Sequence, residues 1–331
     1  GKESGGGPMR TKMNNSKGER NYYFMKSMLT MVAGFGLLFV LAGTSVAEPG
    51  SSTAAFLQIP VGARAVALGG AYTALATDAY AMHYNPAGLG LSPREIVFAH
   101  NEYVLDLSQE YIAYVHPLDK GAIGASVNYF DLGKFDKTVI VGPVTNPTNF
   151  SSRGSFDASN YAITVGYGRQ ILVDGFYLGI SGKYISQSID SYDGQTAAID
   201  FGAYYQKPGS PLSLGLSILN IGDKIKMNAK YDDLPLTFRV GGAYRIIPER
   251  LLITADLEKI DKDDKYYGHA GGEFWVTPMF AIRAGWDGTT DAGTGLRLGA
   301  GVKVNAFSLD YAYGDEDELK QTHRISVGYR F

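Results

Sequence analysis

The chain has 331 residues, with 42 glycines, 23 tyrosines, 16 phenylalanines, no cysteine, 19% charged residues and a formal net charge of −3. Ordinary soluble domains carry about 25% charge and about 7% glycine, so this is the composition of a glycine- and tyrosine-rich β protein, too aromatic and aliphatic for disorder. The missing sulfur excludes a disulfide framework, thiolate metal sites, cysteine nucleophiles and cysteine-held clusters, and the lack of any Lys/Arg run excludes a nucleic-acid partner.

Residues 1–47 hold six basic residues (Lys2, Arg10, Lys12, Lys17, Arg20, Lys26) and two acidic ones (Glu3, Glu19), which leaves the remainder the more acidic part. No charge occurs from Met28 to Ala47; Lys26 precedes this apolar run, Leu37-Leu38-Phe39-Val40-Leu41 forms its centre, and Ser45-Val46-Ala47 supplies small residues for cleavage. The pattern predicts an export signal over 25–47, preceded by an upstream extension over 1–24. Thr44 stands where a lipoprotein would need cysteine, so no lipid anchor is expected. Residues 48–93 are alanine-rich and short-sided, and they end in the turn chemistry of Tyr84-Asn85-Pro86-Ala87-Gly88-Leu89. They predict a small N-terminal plug, partly helical, folded inside the domain built by residues 94–331.

From residue 94 onward the dominant signal is period-two alternation. Ile123, Ala125, Val127 and Tyr129 alternate with Gly124, Ser126 and Asn128; Leu296, Leu298, Ala300, Val302 and Val304 alternate with Arg297, Gly299, Gly301 and Lys303. A soluble sandwich would turn the apolar face inward, whereas an outer-membrane barrel turns it to lipid. The polar face is mostly Gly, Ser and Ala with isolated charges, which suits a crowded interior. Aromatics gather near strand ends (Tyr129-Phe130, Tyr204-Tyr205, Tyr266-Tyr267, Tyr311, Tyr313), as an interfacial girdle requires. The last strand alternates through Ile325, Val327, Tyr329 and Phe331, the pattern of an insertion signal centred on Tyr329 and Phe331. The expected fold is an all-β transmembrane antiparallel barrel that closes because hydrocarbon leaves no partner for an open edge.

Turn signals divide it into about fourteen strands, near 94–103, 108–117, 120–131, 156–169, 174–188, 195–207, 211–221, 236–247, 250–259, 266–277, 279–287, 294–304, 305–313 and 322–331. Longer polar stretches at 132–155, 222–235, 260–265 and 314–321 are expected as outer loops. Alternation places Lys183, Asp200, Arg239, Asp256, Glu258, Glu273, Arg283, Arg297, Lys303, Asp310 and Arg324 in the lumen. Both signs occur in similar number, so internal ion pairs are expected rather than a ring of one charge. Arg64 of the plug is expected to pair with Asp256, Glu258 or Glu273.

The run Gly62-Ala63-Arg64-Ala65, then Leu68-Gly69-Gly70-Ala71-Tyr72, Asp78 and Asn85-Pro86-Ala87-Gly88-Leu89, resembles the N-terminus of the PorV/PorQ family. That family is similar to the long-chain fatty-acid transporter (FadL-type) barrels, with fourteen strands, an N-terminal hatch and an Asn-Pro-Ala motif. The resemblance marks Arg64, Gly69, Gly70, Asp78, Asn85, Pro86 and Ala87 as hatch residues. It implies an outer-membrane role, either as a component or adaptor of protein secretion or as a passive transporter of hydrophobic molecules.

An enzyme is not expected. His83, His100, His116, His269 and His323 are scattered, and neither H-E-x-x-H nor G-x-S-x-G occurs. No metal site and no cofactor are expected, and Asp287-Gly288-Thr289-Thr290-Asp291 and Asp315-Glu316-Asp317-Glu318 read as solvated acidic loops. The expected partners are outer-membrane lipid, the barrel-insertion machinery and either secretion proteins with their cargo or a hydrophobic small molecule. The adaptor takes a narrow preference and calls for exposed aromatic loops, such as Asn146-Pro147-Thr148-Asn149-Phe150 or Tyr231. The transporter calls for an apolar pocket lined by Phe56, Leu57, Ile59, Tyr72, Leu219 and Trp275, and for a strand kinked at Gly241-Gly242.

Overall fold

The computed structural model describes residues 1, 53–103, 107–140, 150–171, 173–261, 263, 265–289, 294–315 and 321–331. The expected signal at 25–47 and the extension before it lie outside the described residues. Fourteen antiparallel strands close a barrel: β1 (Glu95–Glu102), β2 (Ser108–Leu118), β3 (Gly121–Ile140), β4 (Phe150–Gln170), β5 (Phe176–Ile189), β6 (Tyr192–Tyr205), β7 (Leu212–Gly222), β10 (Thr237–Ile247), β11 (Leu251–Ile260), β12 (Tyr266–Trp275), β13 (Phe280–Asp287), β14 (Leu296–Val304), β15 (Phe307–Asp315) and β16 (Gln321–Arg330). Two short strands, β8 (Ile225–Met227) and β9 (Lys230–Asp232), form a ribbon in the connection from β7 to β10. The seam pairs β1 with β16, from Glu95 opposite Arg330 to Glu102 opposite His323.

The wall is inside out relative to a soluble protein. Ile96, Phe98, Ile112, Val165, Leu214, Leu216, Val240, Ile282, Leu298 and Ile325 are exposed on the outer face. Asn101, Gln109, Asn128, Thr164, Lys183, Asp200, Arg239, Asp256, Glu273, Arg283 and Arg297 are buried on the inner face. Only a hydrocarbon surround makes both choices favourable, and it also makes closure obligatory. The same parity splits the expected aromatic girdle. Tyr129, Tyr205, Tyr266 and Tyr311 are exposed outward, but their neighbours Phe130, Tyr204 and Tyr267 are buried inward, because successive strand residues point to opposite faces.

One end of the barrel carries the shorter connections and the other the longer ones, apart from the two-residue turn between β5 and β6. The expected loop 132–155 is instead mostly strand. β3 and β4 continue their pairing out to Ile140 and Phe150, past register shifts between Asp131 and Lys134 and between Asp136 and Thr138. Gly241-Gly242 makes no kink either, since β10 pairs with β7 in unbroken register from Thr237 to Tyr244. Gly241 makes room instead: a Cβ there would meet the Asp256 carboxylate at 2.1 Å. Pairing also shifts between β10 and β11, from Arg245 to Ile247, and between β6 and β7, where it shifts across Asp200.

Residues 53–93 fill the lumen. A 3-10 turn (Ala55–Leu57), helix α1 (Ala63–Ala67), helix α2 (Ala81–Tyr84) and a 3-10 helix (Pro86–Leu91) are joined by tight turns. None of the described helices is long and apolar enough to cross a membrane. The wall meets this plug with glycine. A Cβ at Gly215 would lie 2.3 Å from the Thr73 carbonyl, at Gly285 2.3 Å from the Gly69 amide, and at Gly179 2.2 Å from Pro86. The high glycine content is thus the means by which plug backbone and wall backbone touch.

Candidate functional site

Five consecutive backbone groups of the plug, from Gly69 to Thr73, are each held by a wall side chain. The Gly69 carbonyl lies 2.8 Å from His269 Nδ1, the Gly70 carbonyl accepts from Arg239 Nη2 at 2.7 Å, and the Ala71 carbonyl accepts from Thr254 Oγ1 at 3.1 Å. The amides of Tyr72 and Thr73 both donate to Asp256 Oδ2, at 3.0 and 2.9 Å. Gly69 and Gly70 adopt φ of +69° and +80°, and a Cβ on Gly69 would lie 2.2 Å from the Trp286 carbonyl. Glycine is required there on both counts.

The clamp is braced by charge. Arg239 reaches Asp256 at 3.5 Å and Glu258 at 3.3 Å. Both ring nitrogens of buried His269 face acceptors, Glu258 at 3.1 Å on one side and Gly69 with Asp287 on the other, which is the arrangement of a doubly protonated ring. Asp287 in turn meets Arg297 at 3.4 Å. Near the tight-turn end, Arg64 forms a bidentate pair with Glu273 at 2.8 and 2.9 Å and donates to the Tyr72 hydroxyl at 3.0 Å. Glu273 also accepts from Arg283 Nε at 2.6 Å, and Arg283 Nη1 reaches Asp310 at 2.7 Å. Of the three carboxylates expected as partners of Arg64, Glu273 is the one it meets; Asp256 is engaged by plug backbone.

Asn85-Pro86-Ala87 sits on the opposite wall. Asn85 caps the 3-10 helix by accepting from the Ala87 amide at 3.2 Å. Its side-chain amide donates to the carbonyls of Thr73 and Ala203, each at 3.0 Å, so one residue ties the motif to both plug and wall. A Cβ on Gly202 would overlap Asn85 Oδ1 at 2.1 Å. The β6–β7 irregularity is welded by Asp200, which accepts from the Asn220 amide at 2.8 Å and from Ser181 at 2.6 Å; Lys183 lies 3.1 Å away and also reaches Asn220 Oδ1.

Lys303 departs from the rest of the expected lumen set. It has inward parity but lies one residue from the end of β14, exposed at the mouth of a cavity of about 210 Å³ at the tight-turn end. Arg64, Asp78, Glu95, Glu273, Arg283 and Asp310 line the same cavity, so charge of both signs faces it, with Val97, Trp275, Val302 and Phe307 among its apolar walls. Arg324 is buried against Tyr103, with its guanidinium 5.0 Å from the ring centre. At the chain end, Phe331 stacks edge-on to Tyr329 and lies under the Arg94 guanidinium.

The six residues proposed as an apolar lining do not gather in one place. Phe56 and Leu57 pack with Phe130, Ile185 and Leu234, flanked by Ile59, Tyr103, Leu107 and Leu132, inside the long-loop end of the lumen. Tyr72 belongs to the central plug core, and Trp275 lines the charged cavity at the other end. Parity identified the inward residues, but nothing local in sequence signalled Thr254 as a clamp residue or the hydrogen-bonded row Asn101, Gln109 and Asn128. Residues 141–149, 290–293 and 316–320, which hold most of the expected aromatic and acidic loops, lie outside the described residues; Tyr231 is exposed on β9.

The chain matches the uncharacterised protein family UPF0164 over residues 42–331. It belongs to that family. Two relatives described as UPF0164 proteins of Treponema pallidum (strain Nichols) are 25% identical over 309 residues, covering 88% of this chain and 71% of that one, and 26% identical over 216 residues, covering 60% and 52%. Among solved structures, the toluene transporter TbuX of Ralstonia pickettii superposes with a TM-score of 0.60 at 13% identity, covering 82% of this chain and 98% of that one. The CymD monoaromatic hydrocarbon channel superposes with a TM-score of 0.59 at 11% identity, covering 82% and 97%. At these identities the likeness is one of fold, a closed antiparallel β-barrel.

Proposed function

We propose that this UPF0164 protein is a non-enzymatic, passive conduit for small hydrophobic molecules across an outer membrane, with its long-loop end outside and its tight-turn end in the periplasm. The observation that carries the reading is an apolar niche inside the long-loop end of the lumen, filled by Phe56 and Leu57 of the plug and walled by Phe130, Ile185, Ala198 and Leu234, where a ligand would enter by displacing the two plug side chains. An apolar niche inside a polar lumen is the usual form of a hydrophobic-ligand site. The balanced, paired lumen charges oppose a charge-selective pore. The fold shared with hydrocarbon channels supports the same reading.

The test is a titration of the detergent-solubilised protein with the hydrophobic fluorophore N-phenylnaphthylamine, read by its emission. Saturable binding is expected, weakened at least tenfold by Ile185→Asp, which places a carboxylate in the niche. Equal, non-saturable emission from wild type and variant would remove the reading.

A PorV/PorQ-like secretion adaptor keeps one supporting feature. The β3–β4 hairpin outruns its neighbours and carries the stacked pair Phe135–Phe156, with Phe135 exposed. Co-purification of a secretion component, lost on Phe135→Ser, would move the assignment to the adaptor.

A further inference from the structure

We propose that Asp78 makes the seating of the plug proton-linked, so that the plug is held more tightly in mild acid than at neutral pH. Asp78 lies on the plug turn beneath α1, buried, at the wall of the charged cavity that opens toward the tight-turn end. Two donors reach it: the Tyr72 hydroxyl and the Tyr80 amide, the latter at 3.1 Å. Arg64 of α1 stands 4.0 Å away, but its guanidinium is already committed to Glu273 of β12. Across the gap, Glu95 of β1 accepts from the Ala79 amide, next to Asp78, at 3.1 Å and from Arg330 of β16 at 2.8 Å. From β15 and β13, Asp310 and Arg283 face the same cavity as a pair, Lys303 of β14 stands at its rim, and Tyr111 of β2 reaches the Ala79 carbonyl. Asp78 is therefore a second carboxylate beside Glu95, with only the distant edge of a cation whose close contacts go to Glu273.

Within 53–93 the titratable side chains are Arg64, Tyr72, Asp78, Tyr80, His83 and Tyr84. Arg64 and the three tyrosines are pushed upward, away from neutral pH. His83 is pushed well below its usual value by burial and by Lys183 and Arg239. Asp78 is the one brought toward neutrality: burial, then the Glu95 charge, push its pKa up to about 6, against the pull of Arg64. A carboxyl whose pKa is raised on seating favours the seated plug fully below its ordinary pKa of 3.8 and loses that contribution as pH rises through 6.

Hydrogen exchange of the amides of residues 72–92, measured on the full-length barrel in detergent between pH 4.5 and 7.5 and corrected for intrinsic rates, tests this. Comparison with Asp78→Asn isolates the Asp78 contribution from the wall carboxylates. The wild-type opening constant, relative to that variant, should fall by up to about tenfold for each pH unit below 6, the limit for a single linked proton. Tyr72→Phe supplies a second readout should the asparagine variant fail to fold. It removes the hydroxyl that stabilises the ionised form, and it should move the transition to higher pH. A wild-type profile parallel to that of Asp78→Asn, or an unmoved transition in Tyr72→Phe, would overturn the proposal.

Discussion

At the scale of single residues, the plug is held by backbone-directed contacts, and their removal should be costly. Asp256 accepts two plug amides and faces Arg239, so Asp256→Ala strands two donors and leaves a buried cation without one of its two carboxylates. A destabilisation of about 3–5 kcal/mol is expected, since buried ionic partners cost that much when one is removed. Denaturation of the purified barrel, followed by protection of residues 69–73, measures it. Glycine contacts give a sharper contrast. Gly88→Ala would set a methyl 1.5 Å from the Ala76 carbonyl and should prevent the plug from seating. Gly182→Ala meets nothing within 4 Å on the outer face and should be neutral or stabilising by about 0.5–1 kcal/mol. Protease sensitivity of residues 53–93 separates the two variants.

At the scale of elements, the weld between β6 and β7 exchanges a ladder position for a buried charge network. Lys183→Met leaves Asp200 buried with only neutral donors. Replacing both, as Lys183→Met with Asp200→Asn, removes the stranded charge and should recover about 2 kcal/mol of the loss in a double-mutant cycle. The strands themselves were legible: alternation located all fourteen, because lipid and lumen impose opposite chemistry on alternate residues. β1, β10 and β11 begin and end within a residue or so of the expected limits. The β3–β4 hairpin was not legible, because beyond the rim both faces meet water and the alternation signal disappears. Lys303 has the expected inward parity but stands at the cavity rim, since parity gives the face of a strand and not the depth. The pairing of Arg64 with Glu273 rather than Glu258 depends on how the plug is rotated, and no local pattern encodes that rotation.

At the scale of the whole molecule, the plug stands between a charge-lined cavity at the tight-turn end and a packed apolar cluster at the long-loop end. The central core of Tyr72, Tyr84, Met82 and Leu89 lies between them. The ion pairs that anchor the plug offer no continuous ring of one sign, so ionic conductance in a planar bilayer should be low. Arg64→Glu sets two carboxylates together at Glu273 and should raise that conductance by loosening the plug. Equal conductance in variant and wild type would show that Arg64 is not an anchor.

Native mass spectrometry of the barrel extracted from outer membranes in mild detergent tests the proposed conduit most directly. A hydrophobic small molecule held one-to-one, and lost in Ile185→Asp, is the predicted result. An empty lumen accompanied by a stoichiometric protein partner would contradict it.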